Sequence, residues 1–398
     1  MTRNWYRITA IKGKVMKLVL EVFWQFFTLG WISFGGPAAH IGYFEKTFVQ
    51  KLKWIDSESY ARLISLSQFL PGPGSSQIGF AIGLRRAGVI GGFTAFIAFT
   101  FPSVLLLYIL ATTNATQDAA WLVSITHGLK LLAVVVVADA TLNMYKGFCK
   151  ERNTVTICVA TAAVLLMMPS LLTQMLVLVA AAIIGMQLKK PSETTSVPAT
   201  KGGVNYLPLV IFAVLFAGLP LLTNSPAWLT IFADFFQSGS LVFGGGHVVL
   251  PMLQQALGDA IDTDRFLMGY AAAQAVPGPM FSLSAFLGAD LLVNSPLMGA
   301  LIATVAIFLP GFLLVLGFHG AWESLAAKPK VAGAVWGINA AVVGLLMSAL
   351  YSPVFTSAIV NPIDMAAVIV GFFALRTLKL PIMAVVAGFI AFGYVMGL

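Results

Sequence analysis

Apolar runs long enough to cross a bilayer recur along the whole of this sequence. A chain that lies in lipid must satisfy its backbone amides internally, which a helix does within one segment. The runs are Val15 to Phe34, Gly88 to Ala111, Trp121 to Tyr145, Thr154 to Met168, Leu171 to Leu188, Val204 to Leu222, Pro226 to Gly246, Phe281 to Val293, Pro296 to Phe318, Val331 to Leu350, Phe355 to Leu375 and Leu380 to Leu398. Their length predicts an all-α integral membrane protein. Only 10% of the 398 residues are charged and 59% are hydrophobic, against roughly a quarter charged in a soluble domain, which excludes a soluble enzyme. The net charge of +8 reads as cytoplasmic loops rather than nucleic-acid binding, so lipid is the expected macroscopic partner. Cys149 and Cys158, beside Lys146, Lys150 and Arg152, offer neither a disulfide framework nor zinc spacing. The basic start (Arg3, Arg7, Lys12, Lys14, Lys17) leads into a run carrying Glu21 and Gln25, with no small-residue cleavage site. It reads as a retained first span rather than a removed signal peptide.

The pattern is used twice. Phe34-Gly35-Gly36 recurs as Phe243-Gly244-Gly245, 209 residues on, and Gln68-x-x-Pro71-Gly72-Pro73 recurs as Gln274-x-x-Pro277-Gly278-Pro279, 206 on. Pro102 with Leu105-Leu106 matches Pro310 with Leu313-Leu314 at 208, and Gly128-Leu129-Lys130 matches Gly337-Ile338-Asn339 at 209. Order and spacing agree over some hundred residues, which chance recurrence of Gly and Pro does not produce. The polar stretch Lys189 to Gly203 separates the copies. The expected organisation is an N-terminal transporter repeat at 1–188, a cytoplasmic linker at 189–203, a connecting transmembrane helix at 204–222 and a C-terminal repeat at 223–398.

Lysine and arginine favour cytoplasmic loops. The N-terminus, Arg85 and Arg86, the cluster Lys146, Lys150 and Arg152, and Lys189, Lys190 and Lys201 are therefore placed inside, whereas Thr112 to Ala120 and the turn at Pro169 carry no cation. In the second copy the sides exchange: Lys328 and Lys330 occupy the loop equivalent to Thr112 to Ala120, and Arg376 with Lys379 the turn equivalent to Pro169. Inverted-topology repeats are the expectation. Counting each Pro-Gly-interrupted stretch as one broken span gives six spans per half and one odd connector, about 13 transmembrane helices. One region opposes this count: Lys46, Lys51, Lys53 and Arg62 fall outside, and Asp259, Asp262 and Asp264 inside. Either the rule yields locally or the mixed stretch, which follows Phe34 up to Arg86 and recurs after Gly246 up to Ala275, folds back without crossing.

Pro71-Gly72-Pro73-Gly74 cannot remain helical, because each proline removes a donor and disfavours helix at the residue before it. Irregular backbone at membrane depth is tolerated where it is buried in protein or lines a wet cavity, and in transporters such breaks sit at the substrate site between inverted repeats. Ser75, Ser76 and Gln77 occupy the opening turn of the next half-helix, where free N–H groups and the dipole favour an anion. Ser282 and Ser284 are the hydroxyls after the second break. A pair of kinks with N-capping serines and no ligand is the alternative. Gly35, Gly36, Gly244 and Gly245 allow close backbone approach, for binding or for packing alone. His40 and His247, after each glycine cluster, could donate to an oxyanion, carry a proton or be structural. His127 and His319 have no partner spacing, and no metal-site set is present, so no metal or other cofactor is expected.

Ionisable residues inside spans are functional candidates because an unpaired charge there is costly. Lys130, Asp139 and Asp234 qualify, and Lys130 lies about 13 Å into its helix, near the midplane. Lys130 is expected to compensate substrate charge, with Asn339 at the equivalent point of half two; alternatively it neutralises an acid on another helix. Asp234 reads more plainly as a structural partner. No phosphate loop, haem-attachment or nucleophile-elbow motif is present, which leaves transport driven by ion or voltage gradients.

FGGPAAHIGYFE, QFLPGPGS, FGGGHVVLP and QAVPGP, in two homologous halves, resemble the chromate ion transporter family in its long, two-domain form. The resemblance runs from about residue 15 to 398. It implies a multi-pass carrier in a prokaryotic cytoplasmic membrane that exports chromate, a tetrahedral dianion shaped like sulfate, and confers chromate resistance. The broken segments and their neighbours, Gln68, Pro71, Gly72, Pro73, Gln274, Pro277, Gly278 and Pro279 included, are then the expected substrate site. A sulfate or other oxyanion carrier uses the same chemistry. An integral-membrane enzyme is the reading from a different class, and would need a cluster of catalytic polar groups that the sequence lacks. Homodimerisation is left open.

Overall fold

The computed structural model describes residues 2–34, 36–113, 120–188, 203–222, 225–243, 248–321 and 328–396. The described residues form helices and connecting turns, with no strand among them. Half one contains α1 (Thr2–Ile32), α2 (Gly36–Phe44, continued by a π-turn Glu45–Lys51), α3 (Ser57–Phe69), α4 (Gly74–Thr112), α5 (Ala120–Phe148), α6 (Arg152–Met167) and α7 (Leu171–Leu188). After α8 (Tyr206–Gly218), half two repeats the order as α9 (Ala227–Leu241), α10 (Val249–Leu257), α11 (Thr263–Ala275), α12 (Leu283–Leu291), α13 (Pro296–Phe318), α14 (Pro329–Ala349), α15 (Pro362–Arg376) and α16 (Ile382–Met396). Among the described residues, five helices are long and apolar enough to cross a membrane: Val15–Ile32, Gly74–Thr112, Thr126–Phe148, Pro296–Phe318 and Pro329–Ala358.

The 39-residue helix α4 is not one rod. Ala87 and Gly88 leave helical geometry, Gly88 at φ 68°, and the chain doubles back there. Gly83 and Gly91 would be about 12 Å apart in a straight helix. Here their backbones touch, so that a Cβ on either would strike the other's carbonyl. Gly288 and Gly299 make the equivalent contact between α12 and α13. The second arm of α4, residues 89–112, shows why it belongs in lipid. Ile90, Ile97, Phe101 and Ile109 are exposed along one stripe, while Gly91, Gly92, Ala95 and Ala98 are buried on the other. Small residues let helices approach where lipid removes any hydrophobic drive between them.

The mixed stretch also folds back. α3 starts behind Asp56, whose carboxylate accepts from the Ser59 amide at 2.8 Å, and α11 starts behind Asp262 in the same way. Just before α3, Trp54 lies beneath the guanidinium of Arg86 at the end of α4's first arm, 4.7 Å away, and Arg86 also pairs with Glu21 of α1 at 2.8 Å. The two ends of the α3–α4 stretch are therefore together, and its Pro-Gly break is the far tip of a hairpin. In half two, Arg265 at the start of α11 holds Asp290 near the end of α12 at 2.7 Å. Each stretch returns to the side it came from. Where one broken span per half was expected, each stretch has the shape of a hairpin, its ends joined by a cation–π contact in half one and an ion pair in half two.

The halves interlock. Gly128 of α5 lies against the Phe389 carbonyl of α16 and Gly393 against Ser124, while Gly337 of α14 lies against Ala181 of α7 and Gly333 against Gly185. Each pair crosses antiparallel, and the four contacts are equivalent under the repeat. α5 thus packs on the last helices of half two, and α14 on those of half one. Arg376 of α15 binds Asp139 of α5 at 2.5 Å, and His127 meets the buried Asp364 at 2.8 Å.

Candidate functional site

Both breaks end at the middle of the molecule, and each is bonded to the other half. The Gly72 amide donates to the Val242 carbonyl at 2.7 Å, and the Gly278 amide to the Ser33 carbonyl at 2.9 Å. Ser33 and Val242 are themselves equivalent, each standing just before a Phe-Gly-Gly cluster. Gly72 has φ 120° and Gly278 φ 102°, conformations that a side chain strains. A Cβ at Gly72 would come within 3.0 Å of the Gly311 Cα on α13, and one at Gly278 within 2.9 Å of the Ser103 hydroxyl on α4. Each break is wedged against the proline-bearing helix of the other repeat, beside Pro310 or Pro102.

Around these tips the polar groups divide into bonded and unbonded. His40 is fully buried; its Nε2 donates to the Ser33 carbonyl and its Nδ1 accepts from Ser75, both at 3.2 Å. It ties the end of α1 to the start of α4, so both ring nitrogens are engaged within the protein. The Gln77 amide nitrogen donates to the Pro71 carbonyl at 2.9 Å. Ser282 meets Ser103 at 2.6 Å, Ser284 faces Thr304, and the Gln274 side chain reaches the Met280 sulfur. The Ser33, Ser76 and Thr100 hydroxyls and the Gln77 Oε1 are buried with no protein partner. Buried polar groups without partners are costly, and several on the elements that meet here mark a place for water or a polar ligand.

A cavity of about 440 Å³ opens beside the first break. Gln68, Phe69, Lys150, Thr154, Trp336 and Asn339 line it. Asn339 is 8% exposed and its Oδ1 has no partner. The cavity runs from the α5–α6 turn, where Lys150 supplies positive charge, to Gln68 one turn before the break. Capping by Glu151 and Thr154 fixes the start of α6 at its wall.

Lys130 does not stand free at the midplane. Its ammonium donates to Asp264 on the first turn of α11 at 2.7 Å, so the acid it faces is Asp264 rather than Asp139 or Asp234. Asp139 instead bonds Arg376 and Asn143. Of the other residues singled out by sequence, Pro73 precedes α4 and Pro279 the short 3₁₀ turn at Met280–Ser282, while Pro277 lies within the second break and Gly36, at φ 73°, opens α2. Gly35, Gly244, Gly245 and His247 lie outside the described residues. Sequence reasoning missed the Ser33 and Val242 carbonyls, Thr154, Trp336 and Asp264. Asp264 carried a signal, since it belonged to the acidic cluster that broke the charge rule.

The sequence profile of the chromate transporter family matches residues 20–186 and 229–394, in step with the two copies. Among curated proteins, the chain is 28% identical to a probable chromate transport protein of Synechococcus elongatus over 82% of each chain. It is 26% identical to a chromate transport protein of Pseudomonas aeruginosa, over 82% of this chain and 79% of that one. It is 25% identical to an uncharacterized transporter of Methanocaldococcus jannaschii over 83% of each. No solved structure matches the chain.

Proposed function

The chain belongs to the chromate transporter family, and from that premise we propose that it is a secondary carrier exporting chromate across a prokaryotic cytoplasmic membrane. The observation that carries the reading is the exchange at the centre. Two broken hairpins, one from each repeat, are cross-bonded through Gly72 and Gly278 among unpartnered polar atoms, beside a cavity lined by Lys150 and Asn339. A tetrahedral dianion loses much hydration at such a depth, and half-helix N-termini, backbone amides and a nearby cation offset that cost. Gln68, Asn339, Ser76, Gln77 and the two breaks are the proposed binding groups, with Lys130 in the role developed below.

The repeats are proposed to be inverted. Phe96 packs on Phe308 and Phe93 on Phe312, so the equivalent arms, residues 89–112 and α13, run antiparallel. A two-fold axis that makes equivalent spanning helices antiparallel lies in the membrane plane. Arg265 supports the same arrangement by reaching the Ala111 carbonyl, at the opposite end of that arm from Arg86. α2 turns back along α1, where Phe26 packs on Phe44 and Phe48, and α10 turns back along α9. With these and the mixed stretches folded back, each half contributes four complete crossings, the second arm of α4 with α5, α6 and α7 in half one and α13 to α16 in half two, and the connector α8 a ninth. Lys46, Lys51, Lys53 and Arg62 then move to the cytoplasmic side and Asp259, Asp262 and Asp264 to the outer side. The one region that opposed the positive-inside rule now obeys it.

Cysteines introduced at Thr113 and Asn294 are expected to react with an impermeant thiol reagent from outside, and those at Lys53 and Lys328 from inside. Reaction of Thr113→Cys and Lys328→Cys from the same side would remove the inversion. Export is tested in inside-out membrane vesicles, where the protein should drive chromate into the lumen; accumulation only in right-side-out vesicles would reverse the assigned direction.

A further inference from the structure

The repeat relates the cavity to a second place in the molecule, and the two differ. Ser65, Gln68, Trp336 and Asn339 on the cavity wall correspond to Ala271, Gln274, His127 and Lys130. On the cavity side, α3 stands off α14. On the other, α11 lies against α5, Thr126 touches the Met268 sulfur at 3.5 Å, and Lys130 binds Asp264 at 2.7 Å. His127, next along α5, is held by Asp364 of α15. One pathway is open and its counterpart is sealed.

We propose that Asp264 is a built-in stand-in for the transported anion: it occupies Lys130 while the outer path is closed, and an external oxyanion replaces it when α11 swings away from α5. The proposal rests on reading the chain as an anion carrier with opposed repeats. Lys130 is 10% exposed and Asp264 58%, so the cation is buried in the wall and the carboxylate is its accessible partner. An ion pair with one member so exposed is weak and separable. The carboxylate offers two oxygens to the ammonium as a tetrahedral oxyanion does, so the same donor serves either in turn. The asymmetry of the pair of counterparts follows: Asn339 meets substrate from the cytoplasm with no competitor, whereas Lys130 meets it from outside only after Asp264 leaves. Opening one path while closing the other exchanges the two arrangements, because each hairpin is cross-bonded to the opposite repeat through Gly72 and Gly278.

The test uses the full chain in proteoliposomes with Cys149 and Cys158 replaced by serine. In one arm, without substrate, Ala271→Cys reports the outer path and Val335→Cys the cavity. Asp264→Asn is expected to raise external labelling of Ala271→Cys about fivefold and to slow labelling of Val335→Cys, since an exposed ion pair biases a two-state equilibrium by up to about that factor. Unchanged labelling at both positions would overturn the gate. In the second arm, chromate is presented on one side at a time. Lys130→Met is expected to raise the half-saturating concentration on the outer side roughly tenfold and leave the cytoplasmic side little changed, as loss of a charged hydrogen bond does. Lys130→Arg keeps the charge and should lose less outer-side affinity than Lys130→Met. Equal effects of Lys130→Met on both sides would overturn the stand-in. A parent protein that moves no chromate refutes the carrier reading instead, and the labelling arm still decides the gate.

Discussion

Gly72→Val is expected to abolish transport while the protein still reaches the membrane. Two independent costs meet at this position. A β-branched residue is forced to φ 120°, where strain is of order 1–3 kcal/mol, and its Cβ presses on the Gly311 backbone from 3.0 Å. The Gly311 Cα cannot rotate away as a side chain end can. Relief requires the hairpin tip to withdraw, which breaks the Gly72 bond to the Val242 carbonyl and misplaces the start of α4 with Ser75, Ser76 and Gln77. Gly278→Val acts through φ 102° and the Ser103 hydroxyl. Gly36→Ala is the control: Gly36 also has positive φ, but a Cβ there meets nothing within 4 Å, so only the conformational cost remains. Initial chromate flux should be undetectable for both valine variants and retained for Gly36→Ala, with all three eluting as folded protein. Normal flux through Gly72→Val and Gly278→Val would remove the breaks from the mechanism.

Asn339→Asp is the second large effect. The two side chains have nearly the same size, so the cavity keeps its shape while its unpartnered Oδ1 becomes part of a carboxylate. Two unit charges about 4 Å apart repel by about 4 kcal/mol at an effective dielectric near 20, and a dianion doubles the charge. Chromate kcat/KM measured from the cytoplasmic side should fall more than about 100-fold, each tenfold being about 1.4 kcal/mol. Protonating the new carboxyl removes the repulsion, so the lost activity should return as pH falls, relative to the parent at the same pH. Asn339→Ala removes a hydrogen-bond partner without adding charge and should cost far less. Equal losses for Asp and Ala at every pH would mean that Asn339 shapes the wall rather than meets the anion.

Much of this architecture was legible before any coordinates. Apolar length marked the helices, and the paired Phe-Gly-Gly and Pro-Gly-Pro motifs marked the copies and the breaks, because proline and glycine act locally on the backbone. The Lys130 and Asn339 equivalence was also readable. The direction of the mixed stretches was not, since a broken helix and a hairpin share the same apolar pattern and differ only in where their ends meet. The Arg86–Trp54 and Arg265–Asp290 contacts bring those ends together, and the proposed topology accounts for the charges Lys46 to Arg62. The partner of Lys130 was hidden for another reason. Asp264 lies 134 residues away on the opposite repeat, and a pairing set by the docking of α11 on α5 leaves no periodicity to read. The exchange of α5 and α14 between the halves is of the same kind, depending on glycines such as Gly128 and Gly337 whose only local signature is smallness.

The most direct test of the central claim, that the crossed hairpins carry an oxyanion, is counterflow with the purified chain in proteoliposomes. Vesicles preloaded with unlabelled chromate should transiently accumulate labelled chromate from a dilute external pool, and vesicles preloaded with chloride should not. Sulfate inside that drives the same accumulation would widen the substrate class to tetrahedral dianions. Absence of accumulation with either chromate or sulfate inside, from protein shown to be folded and inserted, would contradict the account.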